Sequence, residues 1–510
     1  MARPMDLAPP TPRDIIIYRY QHGVNVGSVF VLERWLGAMY EEDTDGSSEL
    51  EAVKRSLQTR GLERTKAKWE AHWLAGLTEG DLLWLRDVAR CNSIRLPIGY
   101  FTLGPSFCLG TSFEGDMANV YINAWNIAKR LIDKCYDHGI GVLIDFHAVP
   151  GGANAASHSG TESGRAELWG SMHYRALARD CLAFIVQEVT HHELSGVIGI
   201  EICNESIRDA PGIDEFYDEV IEITAAINPS LPVYISDGWD LSRALDYALL
   251  KNRVPVPIGG NPVIVDTHRH YTSPESKSIS PESIIEQIHG ELSELETRQG
   301  HVFDRKSAVD VYVGEYSCAM DMQTWNRMDA SQRLRLTKTF GQEQSRRWTA
   351  KASGSAFWTF KTDSTDSSDW GFKDQVNTGA IPAPAWLTIP REQVSSAIDQ
   401  AEIQRTHLGK KALTDHSGYW ASTSPEIVLG LHRFTQGWDI GYSDAKHFFG
   451  AMAHGFLPGG GDGGDKIGAV DLWTRKRMVE ANEFDQQSGW EWEHGFRKGI
   501  SDFYAAVGLT

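Results

Sequence analysis

Short runs of apolar and β-branched residues recur through the first three quarters of the chain, each closing on polar residues, with helically spaced stretches between them. Eight runs are countable: GVNVGSVFVL from Gly23, SIRLPIGY from Ser93, GVLIDFHAVPG from Gly141, VIGIEICNES from Val197, PVYISDGW from Pro232, VIVDTHRHY from Val263, VDVYVGEYS from Val309 and GSAFWTFKTD from Gly354. Near-continuous apolar runs suit strands covered on both faces, the habit of a parallel sheet. Ala118–Gly139, Met172–Val189, Ile213–Ile227 and Ser331–Lys351 carry apolar residues at helical spacing and supply crossovers. The pattern predicts an α/β fold, a closed (β/α)₈ barrel. An open doubly wound sheet is the runner-up, but no run is followed by G-x-G-x-x-G or a P-loop lysine.

Two charged, helix-forming segments, Glu41–Lys68 and Thr272–Arg305, interrupt the alternation after strands, where barrel loops grow long and wall a pocket. Before the first run, residues 1–14 read as a disordered tail. The barrel is expected over residues 15–390. Residues 391–510 then form a helical, tryptophan-rich extension with a flexible Gly/Asp-rich loop at 458–465, PGGGDGGD. Within it GWDIGYSD and GFRKGISD align Gly437, Gly441 and Asp444 with Gly495, Gly499 and Asp502, which suggests two related helical hairpins packed on the barrel. Its tryptophans, Trp420, Trp438, Trp473, Trp490 and Trp492, read as a seal against the barrel, with a carbohydrate-binding module as the alternative.

Composition narrows the function. With 41% hydrophobic residues and a formal charge of −19, the chain is globular, and no dense basic face offers itself to nucleic acid or anionic membrane. There is no apolar run of spanning length, and the N-terminal MARPMDLAPPTPRD lacks the apolar core of a signal peptide, so a cytoplasmic protein is expected. Six scattered cysteines without a C-x-x-C pair read as reduced thiols.

Residues at the C-terminal ends of barrel strands converge on one pocket, so the polar residues closing the runs form one constellation: Glu33, Arg95, His147, Asn204, Glu205, His268, His270, Tyr271, Glu315 and Trp358. Glu205 and Glu315 end runs that are otherwise mostly apolar, where a carboxylate is costly without a partner or a task. Two such groups facing one cavity are the minimum equipment for glycoside hydrolysis. Arg95 could hold a neighbouring carboxylate ionised, His147 and His268 could donate hydrogen bonds to sugar hydroxyls, and Trp358 offers a flat face for a pyranose, with Trp239 and Trp370 as further candidates. Competing readings are a buried ion pair with Arg95 that merely closes the barrel, and a metal on His268-x-His270; no further ligand set accompanies that pair, and no metal or cofactor is expected.

The ordered set Asn204-Glu205, Glu315 in VGEYS, Arg95 in SIRLPIGY, His147 in DFHAVPG, His268 in DTHRH and Trp358 in AFWTF resembles glycoside hydrolase family 5 over roughly residues 20 to 390, and within it the fungal exo-β-1,3-glucanase group. The opening GVNVGSVFVLERW is similar to that group's first strand, which puts Glu33 in the sugar pocket. The resemblance implies a retaining β-glycosidase without a cofactor. It makes Glu205 the acid/base, Glu315 the nucleophile about 5–5.5 Å away, Asn204 the binder of a 2-hydroxyl and Arg95 the residue that orients Glu315. The implied substrate is a β-1,3-glucan or related β-glucoside; a disaccharide glycoside, a glucolipid, or a non-catalytic sugar-binding role are the alternatives. Where the family has His-x-Tyr this chain has His268-Arg269-His270-Tyr271, so either His270 replaces the tyrosine or a bulge brings Tyr271 in.

Overall fold

The computed structural model describes residues 7–509 apart from 38, 42–43, 255–259, 273–275, 277–278, 326–327 and 363–368. Eight parallel strands close into a barrel in chain order: β1 (Gln21–Asn25), β2 (Ser93–Gly99), β3 (Gly141–Ala148), β4 (Val197–Glu201), β5 (Val233–Ser236), β6 (Val263–Tyr271), β7 (Val311–Met320) and β8 (Gly354–Phe357). Closure is made by β1 against β8, with Gln21 opposite Gly354 and Val24 opposite Phe357. All eight strands fall on the apolar runs, because strands covered on both faces must be apolar nearly throughout.

The first run outlasts its strand. Val29, Phe30, Val31 and Leu32 are buried, yet pairing stops at Asn25. Gly27 lies where a Cβ would strike Thr359 and Trp358, and Ser28 takes a φ of 58°, so the backbone turns off the barrel there. The helix expected over Ala118–Gly139 is broken: a short turn, Asp116–Val120, precedes the helix Ala124–Asp137. Between them Tyr121 drops into the core and its hydroxyl donates to Glu49.

Glu49 opens the first of two helices, Glu49–Arg60 and Leu62–Gly76, that occupy the first inserted segment. Its buried carboxylate also accepts from the Leu32 amide and from Trp69 Nε1 at 2.8 Å, which pins the insertion to the barrel rim. The second segment lies in part outside the described residues; its Glu291 receives Arg269 Nε at 2.7 Å, bracing the outer face of β6.

The tail is shorter than expected. Thr11 and Asp14 form a capping box on the helix Pro12–Tyr18, whose Ile15, Ile16, Ile17 and Tyr18 are buried; residues 1–6 lie outside the described residues. These four side chains join Leu143, Ile198, Tyr234, Ile264 and Tyr312 from the N-terminal ends of the strands and Phe448, Trp473 and Phe503 of the extension in one apolar cluster. The C-terminal helices thus close the barrel floor, opposite the strand ends that carry the site.

The extension comprises helices Arg391–Thr423, Leu431–Gly450, Val470–Glu480 and Gly489–Ala506. The internal repeat is the crossing of the second and fourth of these. A Cβ on Gly437 or Gly441 would meet the carbonyl of Trp492 or Phe496 at 2.1 or 2.0 Å, and one on Gly495 or Gly499 would meet that of Phe434 or Trp438 at 2.0 or 2.1 Å. The two copies pack on each other, not as separate hairpins, because only glycine allows so close an approach. Of the tryptophans, Trp438, Trp473 and Trp492 are buried, while Trp420 and Trp490 meet edge to face and are half-buried.

The glycine-rich loop is a clasp. Asp465 receives buried Arg19 Nη1 at 3.0 Å, Asp462 receives Arg90 at 3.0 Å, and the amides of Gly463 and Gly464 donate to Ile389 and Trp386 carbonyls. These bonds tie down a segment whose composition alone implies freedom. The six cysteines are buried, unpaired thiols, and no helix among the described residues is long and apolar enough to cross a membrane.

Candidate active site

Arg95 stands at the centre of the barrel mouth, fully buried on β2. Its Nη1 lies 2.8 Å from Glu315 Oε1, 3.1 Å from Asp145 Oδ2 and 3.1 Å from Asn25 Oδ1; its Nη2 donates to Asn204 Oδ1 at 2.8 Å, and its Nε to Glu201 Oε2 at 2.9 Å. One guanidinium therefore draws together residues from β1, β2, β3, β4, the β4 loop and β7. Burial disfavours its charge, but Asp145, Glu201, Glu315 and Asp266 outweigh that and hold the guanidinium protonated.

Glu315 lies within β7, preceded by Gly314, where a Cβ would sit 2.2 Å from the Asp266 carboxylate. Glycine there lets Asp266 accept the Gly314 amide at 2.7 Å and leaves Glu315 facing the mouth. Burial pushes the Glu315 carboxyl up. The charge of His268, the hydrogen bond of His270 and the charge of Arg95 pull it further the other way, well below the usual carboxylate range.

Glu205 follows β4 with a φ of 42°, in the left-handed region that favours glycine. Strain of this kind persists only where surroundings impose it. Asn154 Nδ2 supplies part of that hold, donating to the Glu205 carbonyl at 3.0 Å. On the side chain, His268 Nδ1 meets Oε1 at 3.0 Å and His158 Nε2 lies 3.5 Å from Oε2. Burial raises the Glu205 carboxyl and the charge of Glu315 adds to the rise, but the hydrogen bond and charge of His268, with His158 behind, bring it down to about 2. His268 itself is bracketed by Glu205, Asp266 at 3.4 Å and Glu315 at 3.6 Å. Burial opposes its charge, yet the charge of Glu315 and the charge and hydrogen bond of Asp266 raise it well above an ordinary histidine.

One oxygen of Glu205 and one of Glu315 lie within 4.8 Å of each other, with a nitrogen of His268 and of His270 in the same group. That proximity suits direct attack by one carboxylate, the arrangement of a retaining pair with its carboxyl groups about 5–5.5 Å apart. The same four atoms could meet a cation, but Glu315 already has a fixed guanidinium charge 2.8 Å away, which a metal ion would have to oppose.

The remaining sequence-predicted residues divide. His147 Nδ1 donates to Asp145 Oδ2 at 2.7 Å, and its ring stacks on Trp358 at 5.8 Å and 10°. Trp358 is only 4% exposed, so it lines the base of the mouth and offers no open platform. Glu33 accepts Trp35 Nε1 at 2.8 Å; burial raises its carboxyl to about 7 against the pull of His158. Asn204 Nδ2 is buried with no partner among the described residues, a donor left for a ligand. His270 Nε2 lies 3.4 Å from Glu315 Oε2, so it, and not Tyr271, meets the second glutamate. Tyr271 is not part of the site: residues 268 and 270 share one strand face and 271 the other, where its hydroxyl donates to Glu291 at 2.8 Å.

Asn25, Asp145, Glu201, Asp266 and His158 belong to the constellation without having been singled out from sequence. Trp35, 43% exposed, packs edge-on against Trp370, which in turn packs beside His270, making an aromatic rim. Trp239, at the end of β5, is exposed with a φ of 63°.

Comparison with known proteins agrees with this geometry. The profile of the cellulase family, glycosyl hydrolase family 5, matches residues 50–335, and that of the glucan 1,3-beta-glucosidase 3 C-terminal domain matches residues 401–507. The chain is 28% identical over 485 residues to glucan 1,3-beta-glucosidase 3 of Schizosaccharomyces pombe, covering 95% of both chains. It is also 28% identical to an uncharacterized glycosyl hydrolase of Saccharomyces cerevisiae, covering 95% of this chain and 91% of that one. Among solved structures, rutinosidase from Aspergillus niger shares the fold, with a TM-score of 0.56 at 17% identity over 71% of this chain and 98% of that one.

Proposed function

The chain belongs to glycosyl hydrolase family 5, a family of retaining glycoside hydrolases, and from that premise we propose that it removes glucose from a β-1,3-linked glucan or related β-glucoside by double displacement. The observation that carries the reading is the approach of Glu205 and Glu315 to within 4.8 Å beside Arg95. Glu315, kept ionised, attacks the anomeric carbon while Glu205 protonates the leaving oxygen. Glu205 then takes a proton from the water that breaks the glycosyl ester. Asn204 Nδ2 is the free donor for the 2-hydroxyl, and Glu33, His147 and His268 frame the sugar. The glucan preference is supported by the name of the S. pombe relative and by the match of its C-terminal domain. The unpaired buried thiols favour the cytoplasm as its place.

The test is a substrate panel with purified protein: glucose release from laminarin oligosaccharides and aryl β-glucosides is the expected result. Turnover of aryl β-disaccharides or glucosylceramide, with none on laminarin, would replace the glucanase reading with one of a different leaving group.

A further inference from the structure

Carboxylates outnumber lysines and arginines on this protein by 68 to 49, so a half-buried lysine that meets none of them calls for another partner. Lys466, directly after the glycine-rich clasp, is such a residue. It makes no salt bridge among the described residues, and its Nζ lies 4.8 Å from the centre of the Trp386 ring and 4.9 Å from that of Tyr504. Burial lowers the pKa of its ammonium, and no neighbouring carboxylate works to raise it. The backbone fixes its place: the Lys466 carbonyl accepts the Tyr20 amide at 2.7 Å, and the next amide, of Ile467, donates to the Tyr504 hydroxyl at 2.8 Å.

Lys466 lines a cavity of about 480 Å³ at the barrel floor, between the end of the helix Ala330–Lys351 and the final helix Gly489–Ala506. The polar groups around that cavity are unevenly used. Asp471 accepts Arg497 Nη2 and the Gly300 amide, each at 2.8 Å, and Asp310 accepts the Leu472 amide at 2.9 Å. Burial, with the charge of Asp471, raises the Asp310 carboxyl well above the usual range, so it adds little negative charge. The acceptors are thus occupied, and the donors are not. Lys466 Nζ meets no acceptor among the described residues, Trp386 Nε1 is buried with no partner there, and the Tyr504 hydroxyl, which accepts from Ile467, has its own proton to give. Trp386 is only 9% exposed, so its donor needs a partner inside the cavity. Occupied acceptors, idle donors and one positive charge without a counter-charge are complementary to an anion. Three donors from separate segments suit a group with three terminal oxygens, which a phosphate ester has and a carboxylate lacks. The volume exceeds what a bare phosphate ion fills and lies in the range of small-molecule sites, and Tyr20 and Trp386, packed edge to face at 5.6 Å, supply an apolar wall for the rest.

We propose that this cavity is a second ligand site, for a small phosphomonoester the size of a sugar phosphate, whose phosphate is held by Lys466, Trp386 Nε1 and the Tyr504 hydroxyl. The site lies at the opposite end of the barrel from Glu205 and Glu315 and does not depend on the reaction proposed for them. Because it joins Tyr20 and Thr349 of the barrel to Lys466 and Tyr504 of the extension, a bound ester stabilises the two together.

The experiment is calorimetric titration of the full chain with glucose 6-phosphate, inorganic phosphate and glucuronate at fixed ionic strength, beside thermal midpoints with and without each probe. The expected result is one saturable site for glucose 6-phosphate that raises the midpoint, with binding of the other two weaker by about tenfold or more. Lys466→Met, which keeps an apolar stem over Trp386 and Tyr504 but no charge, is expected to weaken the ester by about tenfold or more, and Lys466→Arg to retain most of the affinity. Lys466→Gln provides a second neutral variant, and a ligand-free midpoint near that of wild type shows that each variant folds. No saturable binding of glucose 6-phosphate to folded wild type would overturn the proposal. So would binding that both neutral variants leave unchanged, or inorganic phosphate or glucuronate bound as tightly as the ester.

Discussion

At the residue scale the barrel mouth is a problem in placing charge. Asp145, Glu201, Asp266 and Glu315 surround one guanidinium, and such a group survives burial only because every member has a partner. A separate carboxylate makes a measurable case. Glu49 is fully buried, and desolvation raises it from 4.5 to about 7 despite its donors Tyr121, Trp69 and Leu32. Below pH 4.5 it is protonated folded or unfolded; above that the unfolded chain ionises first. Stability therefore falls as pH climbs from 4.5 to 7, by on the order of 3 kcal/mol from this group, then levels. Glu49→Gln is expected to flatten the decline in thermal midpoint between pH 5 and 8, and an unchanged slope would refute the assignment. Legibility at this scale followed position. Glu205 and Glu315 stood out as carboxylates ending apolar runs, whereas Asp145, Glu201 and Asp266 lay inside runs, where only three-dimensional convergence on Arg95 reveals them. His158 sits in a loop without periodicity, and no sequence signal marked it.

At the scale of elements, strands were readable because burial on both faces leaves little room for polar residues, and their breaks were not, because breaks answer to tertiary partners. Tyr121 ends a helical pattern by reaching Glu49, and Gly27 turns β1 away beneath Trp358. The strand alternation that places His270 on Glu315 also sends Tyr271 to Glu291, a choice that the sequence left open. The glycine repeat makes a two-sided prediction. Gly441→Ala puts a Cβ 2.0 Å from the Phe496 carbonyl and is expected to destabilise by about 1–3 kcal/mol. Gly418→Ala, on the helix Arg391–Thr423 with nothing within 4 Å, is expected to stabilise by about 0.5–1 kcal/mol. Thermal midpoints that fail to move in opposite directions would show that the crossing does not depend on glycine.

For the whole molecule, the extension is part of the barrel's own core at the floor, opposite the end that carries the site. Arg19 lies within 3.0 Å of Asp465 and also donates to the carbonyls of Asn92 and Gly139. Asp465→Ala leaves that guanidinium buried without its counter-charge, a loss of about 3–5 kcal/mol, and is expected to lower a single melting transition shared by barrel and extension. Two separate transitions would mean that the two fold independently. The central claim, that Glu315 is the nucleophile of a retaining glucosidase, is tested most directly by Glu315→Ala acting on an aryl β-glucoside in the presence of azide. Loss of turnover in the variant, restored by azide with α-glucosyl azide as the product, is the result this geometry predicts. An active variant, or rescue yielding the β-azide, would contradict it.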